Sequence, residues 1–293
     1  MPIRSYRLCS TILALVPLTY HVAWAEECPN PPGWIPPNLP ALLFEHRLWA
    51  TEILPPDIKD PRRLNLCHAD LSGMDLSGVN LSHANLSITR NVGTNFRGAD
   101  MNSARFDGAY IRDSDFEAAH LTRVSWSHVE ISGSNFTYTD MSYSLFQDVK
   151  IQASDFTGSH LEKAKFQRSE LSGLNLQNAA ISQSIFTDSS LSEIDFRGAD
   201  LSQTSFSRTN LDQVNFYFAD LSRSRLGHST LQNINFKDTL LYLADLKHID
   251  IGAEKRDIIA EFCSNLTRAR DWQLSYRPKK FLCGAKILPG KYE

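Results

Sequence analysis

Phe196–Phe206 reads FRGADLSQTSF, and its apolar residues return at an interval that neither common secondary structure uses. Phe196, Leu201 and Phe206 stand five apart, and Ala199 and Thr204 each lie two residues ahead of the next large one. Helices repeat near 3.6 residues and strands at 2. A stripe at five would rotate off a helix, and an odd interval would swap faces along a strand. A chain that turns a corner every five residues satisfies it, each side pointing one large and one small residue inward.

The interval continues far beyond this stretch. From Leu66 to Ile251 there are 38 such positions, and 37 hold Leu, Ile, Met, Phe or Trp; Asn91 is the exception. The residue two before is Ala, Ser or Thr at 27 of the 38, so small side chains alternate with large ones inside. Nine of the 14 glycines lie two residues after the large one, where a corner needs backbone freedom. No proline occurs between Arg62 and Arg277, as expected where backbone N–H groups bond from turn to turn.

Longer periods sit inside the five. In steps of ten from Phe96 to Leu246, 12 of 16 residues are Phe and one is Trp126, which reads as core. The interleaved set from Met101 to Ile251 is wholly aliphatic. The residue before the large one forms an Asp/Asn column at a period of 20: Asn95, Asp115, Asn135, Asp155, Asn175, Asp195, Asn215 and Asn235. Four unequal faces follow, so one turn is four pentapeptides, and the fold expected is an all-β repeat solenoid.

The segments RGADLSQ, FADLSR and HADLSGMDLSGVNLSHANLS fit the pattern A(D/N)Lxx. Over residues 64–251 the chain resembles the pentapeptide repeat family. That resemblance implies a right-handed quadrilateral parallel β-helix. It also implies a rival function, since the best understood members mimic DNA and bind type II topoisomerases in the cytoplasm.

Outside the repeats, residues 1–25 read as a secretory signal peptide. Arg4 and Arg7 precede an apolar run, Leu8–Val22, and Ala23-Trp24-Ala25 has the small-x-small cleavage pattern. The expected location is export, to a periplasm or alternatively a thylakoid lumen, with no stable membrane insertion after cleavage. The remaining chain carries 28 basic and 33 acidic residues, a net charge of −5. That balance argues against nucleic acid as a partner and against a strongly acidic DNA mimic. Of the four cysteines beyond Cys9, Cys28 and Cys67 flank the N-terminal segment, and Cys263 and Cys283 the C-terminal one. Disulfides Cys28–Cys67 and Cys263–Cys283 are expected in an exported chain; four free thiols would fit a reducing compartment.

Residues 26–63 form a Pro-rich segment and a helical cap, with Leu39, Leu42, Leu43, Leu48 and Trp49 at roughly helical spacing. The L-x-x-H-x-x-W pattern there is similar to N-terminal caps of bacterial members of the family. Residues 252–293 carry a second helical cap, with Ile258, Ile259, Phe262, Leu266, Ala269 and Trp272 on its apolar face.

No nucleophile elbow, phosphate loop or zinc-protease motif occurs, so no enzyme activity and no cofactor are expected. His120, Asp140 and His160 stand one turn apart in an outward column; this is either a divalent metal site or charge-paired stacking. Asn91 is read as a local bulge bonded to the backbone, or a functional irregularity. One aromatic face and its corner carry Arg105, Lys165, Arg168, Arg208 and Arg225 among other cations, and could orient a partner. Tyr217, Phe218, Tyr242 and Leu243 form a possible partner surface, over which the C-terminal segment is expected to fold. The function expected is a non-catalytic protein-interaction or scaffold module, its protein partner unidentified.

Overall fold

The computed structural model describes residues 28–51 and 62–251, together with 263, 264, 266, 268–270 and 275. The signal peptide, Cys283, Ile258, Ile259, Phe262 and Trp272 lie outside the described residues.

The five-residue interval closes into a right-handed, four-sided parallel β-helix. An offset of 20 residues is kept from Asn65↔Asn85 to Thr230↔Asp250. One face carries an eight-stranded parallel sheet: β1 (Arg90–Val92), β2 (Tyr110–Arg112), β4 (Glu130–Ser132), β6 (Lys150–Gln152), β8 (Glu170–Ser172), β10 (Ser190–Ser192), β11 (Asn210–Asp212) and β12 (Thr230–Gln232). A neighbouring face carries four strands: β3 (Ser125–Ser127), β5 (Leu145–Gln147), β7 (Lys165–Gln167) and β9 (Ile185–Thr187). The other two faces pair through single bridges. Local chemistry explains the difference. Eleven of the 12 strands begin on a residue other than Asp or Asn, Asn210 being the exception. Where Asp or Asn precedes the large residue, its Oδ1 accepts the N–H two positions on, as at Asp155–Thr157 (2.9 Å) and Asn215–Tyr217 (3.1 Å). That local bond competes with extended pairing.

Every corner residue from His68 to His248 has φ between 46° and 71°: 28 non-glycine residues and nine glycines. Left-handed backbone costs an L-residue about 1–2 kcal/mol. The cost is offset by position, because the corner N–H bonds to the next turn, as from Gly198 to the Tyr217 carbonyl at 3.0 Å. Gly158 has a further reason, since a Cβ there would meet the Tyr138 ring at 2.7 Å.

Inside, Phe116, Phe136 and Phe156 stack at 4.6 and 4.7 Å between centroids on one aromatic face. Phe146, Phe166 and Phe186 do so at 4.3 and 4.6 Å on the other. Trp126 is fully buried in that second column, stacked on Phe106 at 4.6 Å. The small inward residues are more than filler. The hydroxyls of Ser144, Thr204 and Thr209 donate to the carbonyls of Leu121, Ile181 and Phe186 in the turn below, at 2.8–2.9 Å. Asn91 departs from the bulge expected of it. It lies in β1 in register with Ile111, fully buried, and its Nδ2 donates to Thr89 Oγ1 (2.8 Å) rather than to backbone. A side chain that fits the inward slot and bonds within its own turn leaves the coil undisturbed.

Both open ends are covered, as a stacked coil requires. Near the N-terminus, Trp34 bridges to Ala69, and the Asp70 N–H bonds the Trp34 carbonyl at 2.9 Å. The helix α1 (Leu39–Ala50) then crosses the end of the coil. Its contact face runs through Leu39, Leu43, His46 and Trp49, while Leu42 and Leu48 are exposed. At the other end, residues 263, 264 and 266 are helical, but the expected helical face does not continue through Ala269. Arg270 bridges to Leu240 instead, and the Ala269 N–H bonds the Leu266 carbonyl at 3.0 Å, as small residues do at each turn. Leu266 is fully buried and Ala269 nearly so, which adds one more side to the coil.

Candidate functional site

A solenoid presents its chemistry as columns, because each outward position repeats one turn above itself. Neighbours in a column are about 4.8 Å apart. Like charges would repel at that distance, and the columns are composed accordingly. Asn95 Nδ2 donates to Asp75, Asn135 Nδ2 to Asp115, and Asn215 Nδ2 to Asp195, at 2.9, 3.0 and 3.3 Å. An amide thus stands between successive carboxylates. The column through Asp100, His120, Asp140 and His160 alternates in the same way, although further along it Asp200 and Asp220 are direct neighbours.

Two corners flank the second aromatic face, and they differ. On the side toward β1–β12, Asp148 is held by Arg168 at 2.7 and 2.6 Å, and Asp188 by Arg208 at 2.6 and 3.0 Å. His128 lies 3.7 Å from Asp148. The arginine hydrogen bonds hold the Asp148 and Asp188 carboxyls below their ordinary range. Arg168, Asp188, Arg208 and His228 line a shallow open groove. Much of the basic charge read from the sequence is therefore neutralised on site, including Arg105, which pairs with Asp107 at 3.2 Å.

The apex column of the opposite corner contains no acid; Glu162 flanks it, and Asp245 follows Arg225 on the adjoining face. In steps of 20 from Ser103 to Leu243 it holds Arg123, Lys163 and Arg223 and no carboxylate. Beside it on the face stand Lys165 and Arg225. All five cations are exposed. Tyr143, half exposed, sits between Arg123 and Lys163, whose charged groups lie 5.4 and 5.0 Å from its ring centre. A ring can attract two cations but cannot neutralise them.

Other residues singled out in the sequence fall as follows. His120, Asp140 and His160 stack in sequence, but Asp140 Oδ1 accepts the Ser142 N–H (3.0 Å), and His160 Nδ1 lies 3.4 Å from Glu162. Among the described residues, three metal-ligating atoms converge within 4.8 Å at Cys28, Cys67 and His68 instead. Cys28 and Cys67 form the expected disulfide, with Cα atoms 5.3 Å apart. Cys263 is also disulfide-bonded; Cys283, its expected partner, lies outside the described residues. The rings of Tyr217 and Phe218 lie 4.4 Å apart between centroids on the corner before the face that carries Leu201 and Leu221, whereas Tyr242 and Leu243 lie on the corner after that face. Among the described residues Phe218 is 57% exposed and Tyr242 39%; most of the C-terminal segment expected to fold over them lies outside the described residues. The sequence reading missed the acid-free column because it summed charge by face; reading each period-20 column separately exposes it.

The comparisons agree with this architecture. The description "Pentapeptide repeat region" matches residues 99–176 and 170–236, and "Pentapeptide repeats (8 copies)" matches residues 62–87. Similar solved structures include HetL, a pentapeptide repeat protein involved in heterocyst differentiation regulation from the cyanobacterium Nostoc sp. strain PCC 7120. It is 24% identical, with 64% of this chain and 83% of that one covered and a TM-score of 0.37. Trypsin-treated QnrB1, a plasmid-mediated fluoroquinolone resistance protein, is 16% identical over 63% of this chain and 91% of its own, with a TM-score of 0.38. A pentapeptide repeat protein from the Arabidopsis thaliana thylakoid lumen is 23% identical over 45% and 75%, with a TM-score of 0.16. No curated protein matches the chain. With more than half of its residues matched by the repeat descriptions, the chain belongs to the pentapeptide repeat family.

Proposed function

We propose that the chain is a non-catalytic, exported scaffold that binds an acidic protein partner along the corner bearing Arg123, Tyr143, Lys163 and Arg223. The observation that carries this reading is the contrast between the two corners. On the paired corner each arginine is held by an aspartate, whereas Arg123, Lys163 and Arg223 share a column that holds only Ser, Tyr, Gln and Leu besides them, with Lys165 and Arg225 exposed on the adjoining face. Their mutual repulsion lowers stability slightly, and a partner's carboxylates would relieve it. Tyr143 adds a rigid amphipathic anchor of the kind enriched in interfaces.

Export is supported by the leader-like residues 1–25 and by the Cys28–Cys67 disulfide. None of the described helices is long and apolar enough to cross a membrane. Fractionation of a tagged chain tests the location; a cytoplasmic pool that retains residues 23–26 overturns export.

Crosslinking in the native compartment tests the partner. The triple variant Lys163→Glu, Lys165→Glu, Arg223→Glu should lose about tenfold or more of the crosslinked species. The control Arg168→Gln, Arg208→Gln, on the paired corner, should keep it. Equal yields from the triple variant and the parent would refute this surface.

A further inference from the structure

We propose that Cys28, Cys67 and His68 form a metal site in the reduced protein, taking a soft divalent ion such as Zn²⁺ when the disulfide is open. The two sulfurs and an imidazole nitrogen all lie within 4.8 Å of one another. A tetrahedral ion with bonds of about 2.0–2.3 Å holds such atoms roughly 3.5–3.8 Å apart, so small adjustments complete the set. Two thiolates and one imidazole suit zinc, with water in the fourth position.

His68 points to a ligand independently. Its Nδ1 is buried and has no hydrogen-bond partner among the described residues. Native proteins rarely leave such an atom unpaired, because desolvation without a partner costs about 1–3 kcal/mol. In the oxidised state the sulfurs close to the His68 ring belong to a disulfide and are poor partners; in the reduced state a bound cation would take the lone pair of Nδ1.

The site is held together without the S–S bond. Gly33 N–H donates to the His68 carbonyl and Asp70 N–H to the Trp34 carbonyl, both at 2.9 Å. Asn30 Nδ2 donates to the Asn65 and Cys67 carbonyls at 3.2 Å. Both cysteines therefore stay close after reduction. Cys67 is fully buried, while Cys28 and His68 are half-buried and give an ion its way in.

The chemistry balances simply. A dithiol supplies two electrons and two protons to Cys28–Cys67, becomes a disulfide itself and leaves two thiols. The incoming ion displaces those two protons and is held by two thiolates and neutral His68 Nδ1. The N-terminal end is thus fastened covalently when oxidised and by a metal when reduced.

The test uses the full chain carrying Cys9→Ser, Cys263→Ser and Cys283→Ser, so that all thiolate signal comes from this end. Titrating the reduced protein with Co²⁺, a spectroscopic stand-in for zinc, should give a thiolate-to-cobalt absorption band saturating at one equivalent. The band should be absent from the disulfide form and from Cys28→Ser, and His68→Ala should weaken binding about tenfold or more. No band in the reduced parent, or equal affinity in His68→Ala, overturns the proposal. A second readout follows the thiols directly. Zn²⁺ should slow reoxidation by glutathione disulfide in the parent and not in His68→Ala; rates unaffected by zinc in the parent would also overturn it.

Discussion

The N-terminal end and the middle of this rod are stabilised in opposite ways. Between Phe96 and Phe236 the same kinds of interaction recur from turn to turn, the ring columns being broken only at Leu176 and Leu226: ring on ring, hydroxyl on carbonyl, amide on carboxylate. Between Cys28 and Asn91 most interactions occur once: a disulfide, a buried histidine, a helix, a polar residue in the core. Repetition spreads stability over many small terms, so the middle depends on continuity of its columns. The end depends on particular atoms, and particular conditions can therefore switch it.

The largest effect should come from interrupting a column. Phe136 is fully buried, stacked at 4.6 Å on Phe116 and 4.7 Å on Phe156. Phe136→Ala should cost about 3–5 kcal/mol, read as a lower urea midpoint. A loss under about 1 kcal/mol would mean that neighbouring rings close the gap, and that the column is less continuous than the stacking implies.

Acid should act on the end. His46 is fully buried in α1, and its Nδ1 accepts the Leu64 N–H at 3.0 Å, which only the neutral ring can do. Burial pulls its pKa below the ordinary value, assisted by the charges of Arg63 and His83 and opposed by the backbone of Ser82 and Arg62. Burial also lowers the pKa of His68 and His83 in the same region. With the folded value below the unfolded one, the unfolded chain takes up protons first as pH falls. The contribution is complete above about pH 6.5 and is lost as pH drops from there through the folded value. Unfolding midpoints measured from pH 7.5 to 5 should fall, and His46→Gln should flatten the slope. An unchanged slope would detach the end's stability from His46.

The two regions were not equally legible in the sequence. The middle was legible because periods of five, ten and 20 are geometric statements that any side chain in the column repeats; Phe196, Leu201 and Phe206 already define three faces. The end resisted because its decisive contacts have no second copy. The L-x-x-H-x-x-W pattern points to His46, but the apolar spacing of α1 alone places Leu42 and Leu48 with the inward residues, since helical faces are fixed by the coil they meet. Nor does composition show that His68 lies against two sulfurs brought from 39 residues apart. The paired corner and the acid-free column fall between these cases: their residues were visible, but their pairing depends on which columns adjoin.

A smaller and opposite effect is expected at Asn91. Its Oδ1 is buried without a partner among the described residues, while Nδ2 bonds Thr89 Oγ1. Thr89 keeps its own bond to the Leu86 carbonyl (2.7 Å) when the amide is removed. Asn91→Leu restores the aliphatic column toward Ile111 and should stabilise the protein by about 1–3 kcal/mol in denaturant titration. Destabilisation would show that the amide is satisfied in solution by a bound water or another polar group.

The smallest effect separates corner strain in the two regions. Ile88 is a β-branched residue with φ of +56°, the most unfavourable residue type for that backbone among the corners. In the middle the same corner position is filled by Gly108, His128, Asp148 and Arg168, which either tolerate the conformation or recover its cost through pairing. Ile88 is 36% exposed and makes no such pair. Ile88→Gly relieves about 1–2 kcal/mol of left-handed strain, but gives back about 0.5–1 kcal/mol through the greater freedom of glycine in the unfolded chain. A net gain of about 0.5 kcal/mol should appear as a small rise in the urea midpoint with an unchanged slope. A loss instead would mean that the Ile88 side chain holds the end of the coil through packing, and that at this corner contact outweighs strain.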